Sequence, residues 1–218
     1  SSDASGDLPT LVEGYAGYLF DVGSGVNLVA GRYLTPVGAE SFWANANFNV
    51  TRGLLWTLQP VTHTGGYLSG SCECGLSWQL GASNGYGNSM ADTDTEPTFV
   101  GSLGYKKDTI GVTLNGVYGG NADDLLGAFT TFGLIGVNGT PPPPQFSTGQ
   151  GSNRDKIGLL DTVLSWNPSD KLSTWVNFDY WWTSGTGTSP NTQGLSNLSI
   201  WGIAGAGRYA ITESSGSA

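Results

Sequence analysis

"WVNFDYWW", residues 175–182, alternates along its whole length. Val176, Phe178, Tyr180 and Trp182 form one row, and Trp175, Asn177, Asp179 and Trp181 form the other. Successive side chains of an extended chain point to opposite faces, so the stretch reads as a strand with one apolar and one wetter face. In a water-soluble sandwich the apolar row would meet a protein core. In a membrane barrel it would meet lipid, and the polar row would meet a watery interior.

The same pattern recurs on both sides of this stretch. Strands are expected at 11–20, 25–35, 46–57, 61–72, 75–84, 97–107, 109–119, 156–166, 171–182 and 197–212. Most match the ~9–11 residues that a transmembrane strand needs and exceed the ~5–6 residues typical of globular strands. In 109–119 the row Ile110, Val112, Leu114, Gly116, Tyr118 opposes Gly111, Thr113 and Asn115. In 75–84 Leu76, Trp78, Leu80 and Ala82 oppose Ser77, Gln79, Gly81 and Ser83. Links at 22–25, 72–74, 107–108 and 167–170 are short, while those at 85–96, 120–155 and 183–196 are long. Outer-membrane barrels have short turns at one end and long loops at the other.

Composition favours the membrane side. Charged residues are 11% of the 218, against ~25% in an average soluble domain. The chain has 35 Gly, eight Trp and nine Tyr. The wet rows are rich in Gly, Ser and Asn, where a soluble sandwich would carry Lys and Glu. The net charge is −9, and the eight basic residues do not cluster. That excludes a basic stripe for nucleic acid and a polybasic patch for anionic lipid. No apolar run is long enough for a transmembrane helix. The opening "SSDASGDLPT" has no signal-peptide pattern and reads as a mature or truncated start.

Charges inside strands are the informative ones in so neutral a chain. Glu13, Arg32, Arg52, Lys106, Asp161, Asp179 and Arg208 are the candidates for a pore lumen. The alternative is that the cations pair with Asp161, Asp179 or Glu13 and brace the wall. "AGRYLT" at 30–35 echoes "AGRYAIT" at 206–212, which places Arg32 and Arg208 alike. Aromatics near row ends are candidates for interfacial girdles, namely Trp78, Tyr105, Tyr118, Trp181, Trp182 and Trp201.

Other features carry less. The segment 122–136 is balanced between a short loop helix and extended chain, and 138–153, with its run of prolines, is loop. Asp92, Asp94 and Glu96 could touch calcium but lack the rest of a binding loop, so no metal and no cofactor is expected. Cys72 and Cys74 cannot staple distant segments and read as turn residues, with a local disulfide as the other reading. His63 is the only histidine and reads as a hydrogen-bonding residue at a strand end. No catalytic motif is present, so an enzyme is not expected. Sequons at Asn49, Asn138 and Asn197 would matter only in a eukaryotic secretory setting.

"GRYLTPVGAE" (31–40), "TRGLLW" (51–56), "PVTHTGGYLSG" (60–70), "LGASNGYG" (80–87) and "GAGRYAIT" (205–212) occur in order along the chain. In these the chain resembles the OmpL-like β-barrel porin family of bacterial outer membranes. The resemblance implies an antiparallel up-and-down transmembrane β-barrel. It also implies passive diffusion of small polar solutes or ions, with membrane lipid or lipopolysaccharide around the wall. Homo-oligomerisation is left open. Such porins are longer, and no closing strand follows 212 here. The expectation is therefore one barrel domain over 1–218 that is incomplete at its C-terminus, with about ten strands of a larger barrel. Two alternatives stand beside it: a secreted or surface β protein that binds glycans or assembles into fibres, and a small structural barrel with no open pore.

Overall fold

The computed structural model describes residues 11–86, 96–120, 156–184 and 199–211. Among these described residues nine strands form one antiparallel sheet in chain order. They are β1 (Gly14–Phe20), β2 (Val26–Leu34), β3 (Thr62–Ser71), β4 (Leu76–Ser83), β5 (Thr98–Lys107), β6 (Ile110–Gly120), β7 (Lys156–Ser169), β8 (Leu172–Ser184) and β9 (Ser199–Tyr209). Every neighbour pair is an antiparallel meander ladder. Among the described residues the sheet is not closed, and β1 and β9 are its edges. Nine antiparallel strands leave those two edges running in the same direction.

One expected strand is absent. Residues 46–57 do not extend. Between β2 and β3 the chain makes a 3₁₀ turn at Ala44–Ala46 and a short helix, α1 (Leu54–Leu58). The reason lies in the apolar pattern. Phe48 and Val50 alternate, but Leu54, Leu55 and Trp56 are consecutive and cannot share one face of a strand. A helical turn instead buries Leu55 and Leu58 together. Without this strand, short and long links alternate along the whole sheet. Tight connections join β1 to β2, β3 to β4, β5 to β6 and β7 to β8. Long ones join β2 to β3, β4 to β5, β6 to β7 and β8 to β9.

The register sorts side chains into two faces. Tyr18, Leu28, Leu68 and Leu80 follow one another across β1 to β4, as do Trp78, Leu103, Leu114, Thr162, Phe178 and Ile203 across β4 to β9. Apart from Thr162, these are large apolar side chains exposed on one outer face. Burying so much apolar surface requires a nonaqueous surrounding, which a bilayer supplies. The opposite face carries Val100, Val117, Leu159, Asn115, Asp161, Asn177, Asp179 and Trp181, all buried.

Glycines permit the closest approaches. A Cβ on Gly158 would overlap the ring of its register partner Trp182, so the indole lies flat over bare backbone. A Cβ on Gly202 of β9 would overlap Leu55 of α1, so this glycine gives the helix room to sit on the sheet.

At the β3–β4 turn Cys72 and Cys74 are joined by a disulfide, with Cα atoms 5.1 Å apart. The local-disulfide reading therefore replaces that of two free turn residues. The expected loop helix at 122–136, the proline run at 138–153, and Asp92 and Asp94 lie outside the described residues.

Candidate functional site

The segment 35–61 that links β2 to β3 folds onto the inner face of β7 to β9 and is held there by hydrogen bonds. Its anchors are two backbone amides and one side chain. The Gly38 N–H donates to Asp161 Oδ1 at 3.1 Å, and the Ala39 N–H donates to Asn177 Oδ1 at 3.0 Å. Gln59 Nε2 donates to Asp179 Oδ2 at 2.7 Å and to Asn177 Oδ1 at 3.2 Å. Asn177 Nδ2 in turn donates to Asp179 Oδ1 at 2.9 Å and to Asp161 Oδ2, while Asn115 Nδ2 donates to Asp161 Oδ1. Asp161 and Asp179 are themselves register partners on β7 and β8. Two carboxylates are thus wrapped in amide donors, which is how buried acidic groups are accommodated without a cation.

An apolar contact continues the dock. Trp181 Nε1 donates to Tyr86 Oη at 3.0 Å, and Tyr86 Oη donates to the Leu58 carbonyl at 3.1 Å. Leu55, Leu58, Val37, Tyr86 and Trp181 belong to the same buried cluster as Val100, Val117, Ile157 and Leu159. His63 Nε2 lies 3.0 Å from Thr35 Oγ1, where the segment leaves β2.

The rest of the segment is organised around Arg52. Its Nε donates to the Ser41 carbonyl at 3.3 Å, its guanidinium also reaches the Phe42 carbonyl, and its Cζ lies 4.4 Å from the centre of the Trp56 ring. Glu40 Oε2 accepts from the Gly53 N–H at 2.8 Å. Between the limbs Leu34–Phe42 and Trp56–Val61 lies a cavity of about 220 Å³.

The expected lumen charges take different places. Asp161 and Asp179 lie on the inner face, but they are fully covered by the segment and do not front open water. Lys106 and Arg208 both lie on the inner face by alternation and are exposed. Arg208 lies 4.9 Å from the Phe48 ring centre, and among the described residues no acid bridges it. Arg32 departs from expectation. It pairs in register with Gly14 and Thr64 and is 6% exposed, so it does not front open water. Arg52 departs too, because it sits in the inserted segment and not in a strand. Glu13 precedes β1 and is half-buried.

Of the girdle candidates, Trp78, Tyr105, Tyr118 and Trp201 are exposed on the outer face, and Trp182 is half-buried over Gly158. Trp181 is a correction. It is 1% exposed and faces inward, as its alternation with Asn177 and Asp179 requires. Among the described residues no cluster of potential metal ligands is present, and Glu96 instead pairs with Lys156. Sequence reasoning missed Gln59, Asn115 and Tyr86. Their signal was weak, because neutral amides and a tyrosine carry no motif until a buried partner defines them.

A family profile for "putative beta-barrel porin-2, OmpL-like" proteins matches residues 2–218. The chain belongs to this family. The OmpL-like porin assignment agrees with the single antiparallel sheet, its apolar outer face and its polar, covered inner face. No curated protein and no solved structure matches the chain.

Proposed function

We propose that this OmpL-like porin is a bacterial outer-membrane channel for passive diffusion of small polar solutes or ions, with segment 35–61 as its constriction. The observation that carries the reading is the docking of that segment on the inner face through Gly38, Ala39 and Gln59. A chain segment held inside a barrel wall narrows the path and sets what passes. The short turns would face the periplasm and the long links the cell exterior, as in other outer-membrane barrels. Lipid would then contact Leu80, Leu103, Leu114, Phe178 and Ile203, and lipopolysaccharide the wall beside the long links. No covalent chemistry enters this reading.

The test is conductance of the purified protein in planar bilayers. Discrete channel steps that enlarge when residues 41–53 are excised support the reading, and a silent bilayer with both proteins overturns it. One observation favours a second reading. The buried packing of Leu55, Leu58 and Trp181 fits a plugged structural barrel. That reading is supported if only the excised protein conducts.

A further inference from the structure

We propose that the cavity within segment 35–61 is a binding subsite for one non-anionic sugar ring of a passing solute. This rests on the channel reading for its purpose but not for its chemistry. The cavity, at about 220 Å³, is smaller than the ~300–1,000 Å³ pockets that take drug-sized ligands. It suits one small ring and excludes a folded peptide or nucleotide. Phe42 and Trp56 supply aromatic walls, while Thr35, Glu40, Ser41 and Gln59 supply hydroxyl, carboxylate and amide groups. Aromatic faces beside a few placed polar groups match a pyranose, which has apolar C–H faces and a rim of hydroxyls.

Charge excludes the anionic members of that class. Glu40 commits Oε2 to the Gly53 N–H and lines the cavity as a carboxylate, which repels an anionic sugar. Arg52 lies behind this wall, 4.4 Å from the Trp56 ring centre, held by the Ser41 and Phe42 carbonyls. It also occupies one face of the indole, leaving a single face for the ligand. Gln59 joins the cavity to the wall, because the same side chain donates to Asp179. Outside the cavity Trp43 is 50% exposed and meets Phe42 edge to face with centroids 5.1 Å apart. The aromatic surface therefore continues toward a second ring of a longer saccharide.

The experiment titrates the full chain in detergent with glucose, glucuronate and glucosamine, which share a ring and differ in charge. Binding is read by intrinsic tryptophan fluorescence and by calorimetry. A saturable glucose response is expected, with glucuronate about tenfold weaker and glucosamine no weaker than glucose. Glu40→Gln, which keeps an acceptor for Gly53, should recover glucuronate binding selectively. Trp56→Leu should lose glucose binding by about tenfold, with circular dichroism confirming its sheet. No saturable glucose response, equal binding of all three sugars, or an unchanged Glu40→Gln preference overturns the proposal. Bilayer recordings on the same preparation separate the two readings. Conductance without glucose binding removes the subsite alone, and glucose binding without conductance removes the channel alone.

Discussion

Asp161 and Asp179 are register partners on β7 and β8, and one amide, Asn177 Nδ2, donates to both carboxylates. The pair was expected to front the lumen. It instead lies beneath a segment from the other side of the sheet, so its first role is anchorage.

Removing an anchor should loosen the segment and leave the wall intact. Gln59→Leu strips a donor from Asp179 and from Asn177 at a fully covered site, at a cost of ~1–3 kcal/mol. Arg52 supplies a trypsin site within the segment. Limited trypsinolysis in detergent should cut after Arg52 faster in Gln59→Leu and in Asp179→Ala than in the parent. Equal cutting rates would mean that the segment is held elsewhere.

Trp181 should behave as a core residue and not as an interfacial one. Trp181→Phe removes the hydrogen bond to Tyr86 and should cost ~0.5–1.5 kcal/mol, while Trp181→Ala should cost ~3–5 kcal/mol. Urea unfolding from lipid vesicles measures both. A neutral Trp181→Ala would return this residue to the membrane interface.

Val176 lies on the outer face at 43% exposure, in the row of Phe178 and Tyr180. Val176→Arg places a cation against hydrocarbon and should destabilise the inserted protein by ~2–4 kcal/mol near the midplane. The same vesicle assay reads it. A harmless substitution would reverse the assignment of faces.

Gly202→Val should displace the Leu55 side chain on β9, because a Cβ there would overlap its terminal methyl group. The strands need not change, since Gly202 pairs in register with Asp179 through backbone alone. The expected signature is an unchanged sheet spectrum with faster trypsin cleavage at Arg52. A parent-like cleavage rate would show that α1 tolerates displacement.

Most of the wall was legible in the sequence, because period-two alternation is a local signal that survives without knowing the partners. "WVNFDYWW" predicted both faces of β8, and its own parity placed Trp181 inward. The girdle expectation for Trp181 follows its neighbour Trp182 and not that parity. The strand expected at 46–57 failed for a related reason. It would have set a short link at 58–60 beside the short link at 72–74 and broken the alternation of link lengths. The consecutive Leu54, Leu55 and Trp56, and Pro36 and Pro60 at either side, were the readable warnings. The anchor cluster was not readable, because Gly38, Gln59, Asn115, Asp161 and Asp179 are brought together only by the sheet.

The docking contacts also set an order on biogenesis. Gly38 finds Asp161 across 123 positions, Ala39 finds Asn177 across 138, and Gln59 finds Asp179 across 120. Contacts between such distant positions form late, since the intervening chain must first be arranged. During assembly the early hairpins must therefore wait, with their inward segment unmoored, until β7 and β8 arrive. The apolar side chains of that segment, Leu55 and Leu58 among them, need shelter over this interval. The late strands β7 and β8 are thus the ones that finish the first hairpins.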